Sequence, residues 1–424
     1  MPTVTILFGG RSVEWRASCQ GYDHLREALR CAAPTDIVVN TVILIAPDGT
    51  IRMENPTSHD TLPVAAHLLR MGRTVSALEC MSMLIDGGSI VFSLLQAQDG
   101  EDGTFQGLAR FFDFPDNRSS TLTAALAFDL YAQAAVVQQV AGDLLMTVPT
   151  VLANIGEPDA AYQAARERFG ATPVLLRPNA AGAGFQVRGL PFVTADETAR
   201  FAAEISPYDD HFLVQQCVGG IPLSVGIVFR DGRWTMLPIC AGADVRHNDG
   251  VRLAADGAHG AMARRVLRGP RQGGVSEDVS GNAGGKDSRG APASVHGREP
   301  IVLRQEYVTE RRDSGAVAPA ASAFQLSAAV MQRVDAAARR LARTFRDESY
   351  YQIDMIATGW DEVYFSAIAT RPSLRRDGPF AWMLSAAGLT PVDLIRIEHA
   401  NYAASRAFRH KRFARIAEWV AVHG

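Results

Sequence analysis

Apolar and polar positions change period repeatedly along the first quarter of the chain. "TVTILFGGRS" is a short β-branched run entering a Gly-Gly turn, which predicts a strand. "CQGYDHLREALRCA" places Tyr22, Leu25, Ala28 and Leu29 at helical spacing. "IVVNTVILIAP" reads as a buried strand, and "SIVFSLLQAQDGEDGTFQGLARFF" as strand, Gly-rich loop and helix. Over roughly the first 115 residues, strand and helix patterns therefore alternate, which predicts a parallel sheet of Rossmann-like type.

The pattern then shifts. "TLTAALAFDLYAQAAVVQQVAG" predicts one long Ala-rich helix, and "ATPVLLRPNAAGAGFQV" a strand, small-residue loop and strand. "HFLVQQCVGGIPLSVGIVFRDGRWTMLPICAG" reads as three strands with a turn at "RDGR". From about Gly257 to about 300 the chain is Gly, Ser, Arg and Pro with almost no large apolar residue, which predicts a mobile insert. Beyond it, "QLSAAVMQRVDAAARRLARTF" predicts an amphipathic helix capped near Ser327, and "YYQIDMIAT" with "EVYFSAIAT" an antiparallel pair around "GWDE". Two helices split at "GLTP" follow, and "SRAFRHKRFARIAEWVAVHG" is expected to dock as a terminal helix.

Composition narrows the classes. The chain has 424 residues, 47% hydrophobic and 21% charged, with a net charge of −3. That length supports two or three domains, and the charge gives no reason to expect a nucleic-acid partner. No apolar run reaches the roughly 18–20 residues of a membrane span, and "MPTVTILFGG" reads as a first strand without a leader, so a cytoplasmic location is expected. The five cysteines are scattered without zinc-ligand spacing. Lysine occurs only at Lys286 and Lys411, so no lysine is available to the body of the chain.

"VTILFGGRSVEWRAS", "DGEDGTFQG", "AALAFD", "PVLLRPNAAGAGFQV", "YYQIDMI", "VYFSAIATRPSL" and "LSAAGLTPVDLI" occur in the order and spacing of D-alanine–D-alanine ligases. The chain resembles that family, part of the ATP-grasp superfamily. The resemblance implies an α/β ATP-grasp fold with an N-terminal Rossmann-like domain. It places that domain at 1–118, a central ATP-grasp subdomain at 119–210 and a C-terminal one at 211–424. It also implies a peptidoglycan-related activity using ATP and magnesium, in which an acyl phosphate of one D-alanine is attacked by the amine of a second. Members commonly form homodimers. A carboxylate must meet the substrate ammonium, cations and N–H groups must meet the phosphates, and oxygens must hold the metal.

By that resemblance Glu14 would bind the substrate ammonium and Glu101 would stand in the acidic loop beside it. Arg177 replaces a phosphate lysine. Gly182 and Gly184 remain in a phosphate loop that has lost its hydroxyls, and Gln215 and Gln216 replace glutamates facing the adenosine. Asp354 remains as a metal ligand, whereas Ala367 and Ala369 stand where the family has the other two. Trp15-Arg16 replaces His-Glu, Gln96-Ala97 replaces His-Gly, Leu130 replaces a second lysine, Pro222 a glutamate and Gln352 an arginine. Alanine offers magnesium no oxygen, so ATP and magnesium binding is not expected to persist as in the family. The expectation is a degenerate homologue with a regulatory, scaffolding or small-molecule-binding role. Its partner would be a second copy, an active homologous ligase, or an amino-acid or nucleotide ligand. The alternative is a divergent active ligase. Asp361 and Glu362 are expected at a hairpin tip, out of reach of Asp354.

Overall fold

The computed structural model describes residues 2–32, 37–116, 120–182, 185–241, 301–303, 326–345, 349–358 and 361–423. The predicted insert, Lys286 and Gly184 lie outside them. Strand β1 (Thr3–Gly9) enters α1 (Trp15–Cys31), and β2 (Val38–Ile45) turns into β3 (Ile51–Glu54). Helix α2 (Ala65–Met71), β4 (Arg73–Val75), α3 (Ala77–Asp86), β5 (Ile90–Ser93) and α4 (Thr104–Phe112) follow. The sheet order is β4-β3-β2-β1-β5. Only β2, β1 and β5 are parallel; β3 and β4 run antiparallel, a correction to the fully parallel sheet read from the alternation. The reason is local. "PDG" makes a tight turn in which Asp48 accepts the Thr50 N–H at 2.8 Å and Gly49 takes φ +85°, so β2 folds back on itself.

Helix α1 is fastened to this sheet where the first site residue stands. Ser18 Oγ accepts the Gly9 N–H at 2.8 Å and donates to the Leu94 carbonyl at 2.6 Å, tying β1 and β5 to one turn of helix. Further along, Tyr22 stacks on Phe8 with ring centroids 3.9 Å apart and donates to the Pro63 carbonyl. Apolar side chains at helical spacing thus cover one face of the sheet, and the Gly-Gly turn delivers Glu14 to the end of β1.

The predicted single Ala-rich helix is two, α5 (Thr121–Phe128) and α6 (Leu130–Ala141). Asp129 breaks it: its backbone is extended and its carboxylate accepts the Ala132 N–H at 2.8 Å, so it caps α6. Next come β6 (Met146–Thr147), β7 (Thr150–Asn154), α7 (Pro158–Phe169), β8 (Val174–Pro178), β9 (Arg188–Leu190), α8 (Ala195–Ile205) and β10 (His211–Gln216). Strands β7-β10-β8-β9 form a four-stranded sheet. Phe212, Val214, Val174 and Leu176 of that sheet pack with Phe169, Phe201 and Ile205 of the helices on one face.

The stretch read as three strands holds four: β11 (Ile221–Arg230), β12 (Arg233–Met236), β13 (Ile239–Ala241), with β10 already counted. Leu237-Pro238 interrupts the last run, since proline cannot donate to a ladder. With β14 (Ile301–Leu303), β15 (Tyr350–Ala357) and β16 (Val363–Ala369) they build a sheet ordered β14-β13-β11-β15-β16-β6, with β12 beside β11. Helix α9 (Ala328–Thr344) begins at the predicted cap, where Ser327 accepts the Val330 N–H. It packs with α6 over one face of the sheet, against Leu223, Val225, Ile353 and Phe365. On the opposite face, Val228, Cys240 and Tyr350 pack with Phe380 and Met383, and Ser224, Gln352 and Asp354 stand beside them.

Helices α10 (Pro379–Ala386) and α11 (Pro391–His423) close the described chain. Phe380, Met383, Leu384, Leu394 and Ile395 enter the core under α1. The terminal segment does not dock as expected. It continues α11, and Ile416, Trp419, Val420 and Val422 are exposed. Among the described residues no single helix is long and apolar enough to cross a membrane.

Gly9 tests this architecture. Its φ is +91°, and a Cβ there would lie 2.2 Å from the Ile45 carbonyl oxygen. Gly9→Ala is expected to lose about 2 kcal/mol or more in urea unfolding, from left-handed strain plus a backbone clash. An unchanged midpoint would show that β1 and β2 do not approach in this way.

Candidate functional site: a cleft with two carboxylates

Glu14 sits at the start of α1, 6% exposed, and its side chain makes no capping bond to the helix. The carboxylate is directed at the loop after β8. A Cβ on Gly182 would lie 2.7 Å from Glu14 Oε1 and 2.9 Å from Ala97 Cβ, so only glycine fits there. Gly182 also has φ +106°. On the other side of Ala97, its N–H donates to Glu101 Oε2 at 2.7 Å. Glu14, Ala97, Gly182 and Glu101 thus share one small volume.

The acidic loop is built to hold that arrangement. Ala97 and Asp99 take φ +57° and +66°, unusual for residues with a Cβ. Asp102 accepts the Asp99 and Thr104 N–H groups, and Gln106 donates to the Gly100 carbonyl at 2.7 Å. Two glutamines cross to the other lobes. Gln98 Nε2 donates to Ala180 O at 3.1 Å, and Gln96 Nε2 to Arg371 O at 2.9 Å. Arg371, just past β16, is 3% exposed. Burial raises the pKa of half-buried Glu101 and the Glu14 carboxylate raises it further; the Ala97 N–H and the Arg371 guanidinium pull it back.

The two sheets supply the rest of the cleft. On the four-stranded sheet Leu176 and Val174 point to the helices, so Arg177 and Leu175 alternate onto the other face. Arg177 is half-buried, and desolvation pulls its pKa down to about 10 against the pull of Asp354. Gln215 donates to Thr150 Oγ1 at 3.0 Å, and Gln216 is half-buried at the strand end, its N–H on the Pro149 carbonyl. The strand-loop junction is pinned to α6: Asn179 accepts the Leu130 and Tyr131 N–H groups. One turn on, Gln133 accepts the Ile368 N–H at 2.6 Å. This draws the end of β8 toward β16.

Asp354 lies mid-strand in β15, paired across with Ser224 and Ala367, while Ala369 pairs with Gln352. It is 5% exposed, and its Oδ1 accepts Ser224 Oγ at 2.7 Å and Gln352 Nε2 at 2.8 Å. These residues do not fit magnesium. Ala367 and Ala369 on β16 carry no side-chain oxygen, and among the described residues no three His, Cys, Asp or Glu side chains come together as ligands. Asp361 cannot help: its carboxylate accepts Ser327 Oγ at the head of α9, and Glu362 holds Thr358 through its backbone at the hairpin tip.

No family profile matches the chain. D-alanine–D-alanine ligases of Xanthobacter autotrophicus and Streptococcus pneumoniae are 29% and 28% identical over 143 and 229 residues. These stretches cover 33% and 53% of this chain, and 42% and 62% of those relatives, less than two thirds of either. The D-alanine–D-alanine ligase structure from Coxiella burnetii superposes with a TM-score of 0.67 at 14% identity, over 99% of both chains. A D-Ala:D-Ser ligase from Enterococcus faecalis gives 0.60 at 15% identity, over 95% of this chain and 99% of that one. This chain is a relative of the D-alanine–D-alanine ligases, with their ATP-grasp fold.

The structure therefore brings Glu14, Glu101 and Gly182 together, and sets Arg177 and Asp354 on the two sheets facing the cleft. Gln215 and Gln216 stand farther along β10. Sequence reasoning missed Arg371, although "TRP" was in plain view; nothing local signals that a post-strand arginine turns inward. Trp15 fills space, packing on the first core and donating to the Ile45 carbonyl at 3.2 Å.

A carboxyl whose pKa rises on folding holds its proton more tightly in the folded chain. Its contribution is fully present below the ordinary glutamate value of about 4.3 and is lost as pH climbs through the raised value. Urea unfolding across that range is expected to show falling stability. The slope should stay below the one-proton limit of about 1.4 kcal/mol per pH unit. Glu101→Gln is expected to flatten it. An equal slope in the variant would remove Glu101 as the source.

Proposed function

We propose that this D-alanine–D-alanine ligase-like ATP-grasp protein no longer performs ATP-dependent ligation. It acts instead as a regulatory, scaffolding or small-molecule-binding homologue, paired with a second copy or with an active ligase. One observation carries the reading. Asp354 faces Ala367, and its Oδ1 is already taken by Ser224 and Gln352, so the cleft face of β15 and β16 has no octahedral set of oxygens for magnesium. The loss adds to that of both phosphate lysines. Each charge-assisted contact is worth about 1.5–3 kcal/mol, so several together remove powers of ten in rate. Arg177 replaces one lysine with a planar, bidentate donor and restores one contact only.

A divergent active ligase is the second reading. It is favoured by the survival of Glu14 and Glu101 in one cleft with Gly182 pressed against them. Calorimetric titration with ATP and magnesium, with and without D-alanine, separates the two when run alongside a phosphate-release assay. The expected outcome is no D-alanine-dependent phosphate release. Heat on ATP addition without turnover would assign a nucleotide-binding module, and no heat up to millimolar ATP would direct the search to protein partners. Phosphate release that needs D-alanine would overturn the proposal in favour of the ligase.

A further inference from the structure

Helix α11 is rooted at one end and open at the other. Val392, Leu394, Ile395 and Tyr402 are buried in the first core, and Asn401 donates to the Phe229 carbonyl at 3.0 Å. From Ala414 to Val422, by contrast, every residue is exposed, so these turns meet solvent on all sides. Ile416, Val420 and Val422 are 47%, 51% and 76% exposed. A helix end without tertiary packing is marginal in water, and apolar side chains grouped on it mark an interaction surface.

The charge of this segment says what covers it. Between Ser405 and Gly424 stand the cations Arg406, Arg409, Lys411, Arg412 and Arg415 against a single anion, Glu418, in a chain whose net charge is −3. Taken in steps of three and four residues, one face of the helix carries positions Arg409, Arg412, Phe413, Ile416, Trp419 and Val420 in that order. Basic positions come first and apolar ones follow on the same side. A nucleic acid would use the cations and leave the apolar turns bare, and a second copy would bring the same positive charge to them. An anionic bilayer offers both complements, negative headgroups and an apolar layer about 5–10 Å beneath them.

We propose that the exposed end of α11 lies on an anionic lipid surface, with its arginines among the headgroups and Ile416, Trp419 and Val420 in the acyl boundary below them. Each cation brought to such a surface strengthens binding roughly fivefold, and salt screens that attraction. Burial of the apolar face makes the attachment more than a charge effect. It is independent of whether the cleft still ligates.

Flotation of the full chain with phosphatidylcholine vesicles, with and without phosphatidylserine, tests it. The unmutated protein is expected to float with the phosphatidylserine vesicles, to stay behind with phosphatidylcholine alone, and to bind far less in high salt. Ile416→Ser with Val420→Ser is expected to weaken binding about tenfold or more. Its melting temperature should not move, since both side chains are already exposed. Arg409→Glu with Arg412→Glu should abolish binding, and Arg409→Lys with Arg412→Lys should keep it. If the glutamate pair does not fold, the salt response of the unmutated chain reports the same dependence on charge. Failure of the unmutated chain to float with anionic vesicles would overturn the proposal. So would equal flotation with uncharged vesicles, or a serine pair that floats as well as the unmutated chain, because charge alone would then account for the binding. Retention on duplex DNA or polyglutamate without vesicle binding would also overturn it and assign this helix end to a soluble polyanion.

Discussion

Bringing Glu14 and Glu101 into one volume is the constraint around which the cleft is organised. In water two carboxylates a few ångströms apart cost each other about 1 kcal/mol; under protein they cost several times that. The surrounding structure works to hold them there. Ser18 fixes the first turn of α1 to two strands, the acidic loop accepts left-handed backbone at Ala97 and Asp99, and Gly182 leaves out a side chain so that the loop after β8 can approach Glu14. Gln96 holds the Arg371 carbonyl from the far lobe.

The same contacts join the lobes. Gln96 and Gln98 reach from the first sheet to the chain after β16 and after β8, so the cleft is spanned by protein hydrogen bonds on both sides. The family resemblance places His and Gly where Gln96 and Ala97 stand. In this chain the Gln96 amide meets the Arg371 carbonyl and the Ala97 methyl faces Gly182, so that corner is contact surface. The metal side follows a similar logic. Asp354 is satisfied by a serine and a glutamine on its own sheet, so the carboxylate keeps its place in the strand with protein donors where a cation would otherwise be needed.

Errors in the sequence reading share a cause. Asp129 was hidden within a run of good helix formers, because a cap and an interior residue look alike until the backbone turns. The β2–β3 hairpin lay in "PDG", a strong turn signal outweighed by the strand-helix alternation around it. The terminal segment carries apolar residues that a core would want, yet it continues α11 with Trp419 exposed.

The sequence by itself determined the order of elements, the ATP-grasp fold through its resemblance, and the identity of the groups missing from the metal and phosphate positions. It could do so because period, turn chemistry and motif spacing are local properties of the chain. The tertiary structure decided how the remaining groups stand to one another. That Gly182 is pressed against Glu14, that Gln98 meets the Ala180 carbonyl and that Gln96 meets the Arg371 carbonyl depend on residues 82 to 275 positions apart. Charge balance in a buried site is set by distance in space, and distance in space is not written in sequence order.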